Sequence, residues 1–208
     1  CGRCLAAQDH CRTAGKRLMI PKLGTSSERA SLFIQKDMQD NQRIYGFPPV
    51  CGENPRILIL GSMPSVKSLE EAQYYAHPRN AFWRIQAALF DEPFTTNYEE
   101  RKRRLMHHGI ALWDSAASCI REGSLDSAIT EAVPTDVPAL LAAHPSIGHI
   151  FFNGGASQKL FLRFHRSLKG QISTTLLPST SPAAAVLTLE QKTDRWRCIL
   201  DALSDTRG

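Results

Sequence analysis

Four apolar-rich runs, the first of them continuous and each ending in small polar residues, constrain this chain more than any other feature. They are Arg56-Ile57-Leu58-Ile59-Leu60 before Gly61-Ser62, and Gly109-Ile110-Ala111-Leu112-Trp113 before Asp114-Ser115. The third is Ile147-Gly148-His149-Ile150-Phe151-Phe152 before Asn153-Gly154-Gly155, and the fourth is Ile172-Ser173-Thr174-Thr175-Leu176-Leu177 before Pro178-Ser179-Thr180-Ser181-Pro182. Runs of this kind read as strands buried on both faces. Helical spacing fills the intervals, over residues 80–89, 97–107, 135–144, 156–168 and 189–203. Thr135 is expected to cap the third of these helices, with Asp136 in its first turn. Strand–helix alternation implies an α/β protein, a three-layer αβα sandwich around a short parallel sheet of about four strands. In such a sheet ligands bind beyond the carboxyl ends of the strands, where all four polar tails collect.

Residues 1–45 show no steady apolar period and are expected to form a poorly ordered N-terminal extension, with one short helix around 28–38. The compact domain is expected over 46–208. Within the extension, Cys1, Cys4, His10 and Cys11 carry a C-x-x-C spacing that suits zinc or an iron–sulfur cluster. The usual second ligand pair is missing, so no metal site is expected. Cys119 and Cys198 stand among apolar residues and read as small core side chains. Lys and Arg total 25 against 20 Asp and Glu, and the resulting charge of +5 suits a polyanion partner as well as it suits a mildly basic enzyme of small metabolites. No stretch reaches ~18 uncharged apolar residues and the first twenty lack an apolar core segment, so neither a membrane span nor a secretory signal is expected.

The residues at the polar edge resemble a known family. Gly61-Ser62-Met63-Pro64, the run Gln73-Tyr74-Tyr75-Ala76-His77-Pro78-Arg79-Asn80-Ala81-Phe82-Trp83, and Leu177-Pro178-Ser179-Thr180-Ser181-Pro182 look like the uracil-DNA glycosylase superfamily. More narrowly they look like its hypoxanthine-DNA glycosylase branch, over roughly residues 46–203. The resemblance implies hydrolysis of the N-glycosidic bond of a deaminated base, most simply hypoxanthine, flipped out of double-stranded DNA. It implies base excision repair by a cytoplasmic (in a prokaryote, nucleoid-associated) monomer with no metal and no cofactor. The alternatives are a uracil or mismatched-thymine glycosylase, or a catalytically inactive nucleic-acid-binding module on the same fold.

Asn80 matches the Asn of the family's His-Pro-Arg-Asn run and is the candidate that holds the attacking water; it also stands where it can cap the following helix. His77 is a second catalytic candidate, or a hydrogen-bonded loop residue. Relatives place a water-activating Asp or Asn inside the first motif, where this chain has Met63, so the chemistry is expected to rest elsewhere. The base-binding candidates are Phe82, Asp114, Ser62, Met63, Tyr75 and Asn153. Phe82 can stack on the base or lie in the core. Asp114 stands where relatives often place a base-reading Asn. A carboxylate accepts the N1–H of hypoxanthine and opposes the N1 lone pair of adenine; alternatively it caps the next segment. Asn153 lines the pocket or forms an ordinary Asn-Gly-Gly turn. Ser179, Thr180, Ser181 and Arg79 are the DNA-binding candidates, with the small apolar residues 183–186 able to enter the space left by the base. The basic run Arg101-Lys102-Arg103-Arg104 follows Glu99 and Glu100 and reads as a solvated helix face.

Overall fold

The computed structural model describes residues 43–204. The expected helix near 28–38, the cysteine cluster and most of the expected extension lie outside the described residues. Four parallel strands form the central sheet: β2 (Ile57–Gly61), β3 (Ile110–Asp114), β6 (His149–Asn153) and β7 (Ser173–Leu177), in the order β3-β2-β6-β7. β2 pairs with β3 on one side and β6 on the other, so the order reverses at β2 and leaves a crevice above its carboxyl end.

Every residue of β2 is buried, and its side chains divide by the two-residue period of a strand. Ile57 and Ile59 face Phe82, Ile85, Leu105, Trp196 and Ile199. These come from α2 (Phe82–Leu89), α3 (Tyr98–His107), α6 (Leu189–Trp196) and α7 (Cys198–Ser204). Leu58 and Leu60 face Val137 and Phe161, from α4 (Val137–Ala143) and α5 (Gly155–Phe164). Full burial of each such side chain contributes about 1.5–3 kcal/mol, so the sheet centre rather than its polar rim sets stability. This is the expected three-layer arrangement. A short helix, α1 (Val66–Glu71), follows β2, with Ser65 as its cap.

Three elements depart from expectation. A second, antiparallel sheet of order β1-β4-β5 is built from Arg43–Tyr45, Ala116–Ile120 and Thr130–Pro134. These strands are short, rich in small or polar residues and, in β5, largely exposed, so they carry little apolar signal. β1 places Arg43–Tyr45 within the folded domain, three residues ahead of the expected boundary at 46. Helix α4 is capped by Asp136, which accepts from Ala139 N–H, rather than by Thr135. The Thr135 hydroxyl instead donates to the Asp114 backbone oxygen at 2.6 Å. The basic run lies on α3, capped by Asn97, but it is not the solvated face expected: only Arg103 is exposed, Arg104 pairs with Glu92 and Glu100, and Arg101 packs against Trp83 and Phe94. Cys119 is buried and Cys198 half-buried against the core. No helix among the described residues is long and apolar enough to cross a membrane.

Candidate active site

The carboxyl ends of the four parallel strands surround a cavity of about 80 Å³. Its wall takes residues 61–65 after β2, Asp114 at the end of β3, Asn153 at the end of β6 and residues 179–181 after β7. Tyr74, Tyr75 and Asn80 arrive from the segment between α1 and α2, and Ser124 and Asp126 from the loop between β4 and β5. The lining holds no lysine, arginine, histidine or cysteine.

Gly61 sets the geometry of the floor. A Cβ there would lie 2.2 Å from Asp114 Oδ1 and 3.0 Å from the Tyr75 hydroxyl, so only glycine lets both groups reach the end of β2. Asp114 is 3% exposed, and its Oδ2 has no hydrogen-bond partner. Burial pushes its carboxyl up to about 7, the negative charge of Asp126 adds to the rise, and Arg121 opposes it. Both protonation states are therefore present near neutrality, where a free carboxylate would be ionised. The Tyr75 hydroxyl is likewise buried without a partner. Burial, and then Asp114, hold its phenol protonated, while Asn153 opposes. Tyr75 has φ 53, in the left-handed region that a bulky side chain adopts only where its surroundings hold it. Two buried polar groups without partners at the bottom of one cavity mark a place built for a polar ligand edge.

Asn80 lines the cavity, and its Oδ1 accepts from Phe82 N–H at 3.0 Å. The same oxygen thus closes a turn onto the first N–H of α2, whose N-cap is Ala81 with no side-chain cap bond, and it keeps a second lone pair. The loop that carries it is pinned on both sides: Asn80 N–H donates to His77 O at 2.8 Å, and Ala81 N–H to Thr180 O at 3.0 Å. Thr180 is in turn paired twice with Asn153, its N–H donating to Oδ1 and its Oγ1 accepting from Nδ2, both at 2.9 Å. Gly154, at φ 95, allows this closeness, because a Cβ there would meet Ser179 Cβ at 2.8 Å.

Several candidate residues stand elsewhere than the sequence suggests. Phe82 is 0% exposed and does not reach the cavity; Tyr75 stacks over it with ring centroids 4.2 Å apart, so of this stacked pair Tyr75 is the ring at the wall, beside Tyr74. His77 lies outside the lining, its Nδ1 accepting from Arg79 N–H. Thr180 is 1% exposed with its hydroxyl engaged, so it holds the loop together and is closed to phosphate. Asn153 uses both ends of its amide on Thr180 while still lining the cavity. Ser62, Met63, Ser179 and Ser181 line it as well. Arg79 is exposed and borders a neighbouring cleft with Arg84, Lys192, Ser181 and Pro182. Lys192, itself buried, donates to Ala184 O and so supports the turn whose tip, Val186, is 95% exposed.

Sequence reasoning missed Asp126, Ser124 and Arg121. Arg121 donates to the backbone oxygens of Pro64 and Gly123, Val66 N–H donates to Ser124 Oγ, and Ser62 Oγ donates to Asp126 Oδ1 at 2.6 Å. Segment 121–126 is thereby stitched to segment 62–66, a pairing across about sixty residues that leaves no local pattern.

Relatives share much of this sequence and its fold. A protein named hypoxanthine DNA glycosylase from Methanosarcina acetivorans is 39% identical over 140 residues, covering 66% of this chain and 86% of the relative. A protein of the same name from Methanosarcina barkeri is 39% identical over 113 residues, covering 54% and 72%. The solution NMR structure of a candidate uracil DNA glycosylase from Methanosarcina acetivorans superposes with a TM-score of 0.66 at 34% identity, covering 77% of this chain and 98% of that one. The family profile of the uracil DNA glycosylase superfamily matches residues 48–202, which takes in both the parallel sheet and every segment that walls the cavity. With the fold and three quarters of its length in common with that family, the chain belongs to the uracil DNA glycosylase superfamily.

Proposed function

We propose that the chain is a monofunctional DNA glycosylase that hydrolyses the N-glycosidic bond of hypoxanthine in DNA. The observation that carries this reading is the Asp114 carboxyl at the cavity floor, buried and with Oδ2 unpartnered beside the equally unpartnered Tyr75 hydroxyl. Hypoxanthine offers N1–H as a donor where adenine offers a lone pair, so an accepting carboxylate separates the two. The names of the two Methanosarcina relatives support the same substrate. A double-stranded DNA partner, a monomeric enzyme and a cytoplasmic place of action belong to the same reading.

The base leaves the stack and enters the cavity, which costs least at a poorly paired site. Tyr75 forms the aromatic wall, with Phe82 fixing its ring from below. Asn80, its rotamer held by the Phe82 N–H, turns its remaining lone pair to a water and aims that water at C1′. No lysine lines the cavity, so water rather than an amine is the nucleophile. Ser179 and Ser181 meet phosphate oxygens at the rim, and Arg79, with Arg84 and Lys192, continues the contact along the adjoining cleft. Val186, at the tip of its turn, fills the space that the base vacates.

An end-labelled duplex with one deoxyinosine, incubated with the protein and then treated with alkali, tests this. A break at inosine, faster than at xanthine, uracil or thymine in matched duplexes, is expected. Faster cleavage at uracil or mispaired thymine would move the substrate, since uracil N3–H is also a donor that Asp114 can accept. No break at any base would leave a nucleic-acid-binding module.

A further inference from the structure

We propose that Asp126 is the catalytic base of this cavity, taking the proton of the water that attacks the sugar, with Ser62 holding its carboxylate in place. The inference rests on the glycosylase reading above. Asp114 and Asp126 are the two carboxyl groups in the lining, and they stand at different depths: Asp114 is buried, whereas Asp126 is exposed. A base that meets Asp114 at the floor must direct its glycosidic bond, and therefore C1′, toward the rim where Asp126 stands. The position is fixed by three hydrogen bonds: Arg121 to Pro64 O, Val66 N–H to Ser124 Oγ, and Ser62 Oγ to Asp126 Oδ1.

A proton acceptor is needed and the other lining groups do not supply one. The Asn80 amide can orient water but does not take its proton. Met63 occupies the first loop without an acid or amide. Asp114 is the weaker candidate on position, and also on charge, since burial and the charge of Asp126 hold much of it protonated at neutrality. The charged and titratable groups coupled to this pair are Arg121, behind the loop, the tyrosines Tyr74, Tyr75 and Tyr98 on the Asp114 side, and Cys119 on the Asp126 side. In the step, the C1′–N9 bond breaks with its electron pair staying on the base. The water oxygen bonds to C1′, and one water proton passes to the Asp126 carboxylate. The released base takes a proton from solvent, and Asp126 returns its own to solvent.

Asp126→Asn keeps an oxygen to accept from Ser62 and keeps the volume, removing only the charge. Single-turnover excision from a deoxyinosine duplex should fall about 10²-fold or more, with duplex affinity retained. Asp126→Ala should lose a similar factor and regain part of it with added formate, which a purely anchoring role would not produce. Excision by Asp126→Asn at the wild-type rate, loss of affinity in parallel with rate, or no formate rescue would overturn the assignment while leaving the glycosylase reading intact. A wild-type protein that excises nothing would overturn both.

Discussion

Asp114→Asn should remove a pH dependence that the native protein carries both in stability and in catalysis. The native carboxyl is raised from 3.8 to about 7, first by burial and then by Asp126. Each unit is worth about 1.36 kcal/mol, so burying the ionised form costs about 4 kcal/mol. Between the unfolded and folded values the folded state binds the extra proton, so stability falls as pH rises from about 4 to about 7 and is level above. Urea unfolding at pH 5 and pH 8 samples about two units of that window, a native loss of about 3 kcal/mol from this group. The Asn variant has no charge to bury and should lack that loss, so its advantage over wild type grows with pH. Excision should follow the same titration. A protonated Asp114 can donate to the departing base, whereas the carboxylate repels its growing negative charge but accepts N1–H more selectively. The native rate should therefore fall above pH 7 while the preference for inosine over adenosine rises. In the variant both should be flat across that range, and uracil should be better tolerated. Equal pH dependence of stability in the two proteins would show that Asp114 ionises freely in the folded state and would refute the reasoning.

Gly61→Ala would place a Cβ 2.2 Å from Asp114 Oδ1, forcing the carboxyl and the Tyr75 ring apart; excision should fall at least 10-fold with a stability loss of about 1–3 kcal/mol, checked by single-turnover kinetics and urea melts. Arg79→Ala should weaken binding to inosine and undamaged duplexes alike and reduce the slope of log K against log salt by about 0.9, measured by fluorescence anisotropy across a salt series.

Three strands of the parallel sheet were legible because they are buried on both faces and therefore written as near-continuous apolar runs, and Ile57, Leu58, Ile59 and Leu60 leave no room for another interpretation; β7, at the sheet edge, is instead mostly exposed, against the two-faced burial its run suggested. The second sheet was not legible, because β5 is exposed and β4 is built of small residues, so neither needs a strong pattern. Within the site, Asn80, Asp114 and the loop after β7 could be located by motif and by strand end. Which of two nearby aromatics faces the cavity could not, since the left-handed backbone at Tyr75 turns its ring over Phe82 against simple helical spacing. Asp126 was invisible for a different reason. It sits in a Gly123-Ser124-Leu125-Asp126 stretch that reads as any turn, and only the tertiary bonds to segment 62–66 bring it to the cavity. Thr180 shows the reverse case: a hydroxyl in a plausible phosphate loop is consumed by Asn153 once the strands are side by side.

The rate of excision by Asn80→Ala under single-turnover conditions tests the account most directly. Asn80 holds the Phe82 N–H through the oxygen that, in the proposed mechanism, also orients the water, and the two effects separate by size. Loss of the bond to Phe82 N–H alone costs about 1 kcal/mol of stability and leaves the rate near normal at low temperature. Loss of the oriented water should slow hydrolysis of a deoxyinosine duplex about 10²-fold or more, about 3 kcal/mol in the barrier, with binding retained through Tyr75, Asp114 and the rim. Asn80→Asp, which restores an acceptor for Phe82 N–H, should recover stability while its activity takes on a new pH profile. A folded Asn80→Ala protein that releases hypoxanthine at the wild-type rate would contradict the account.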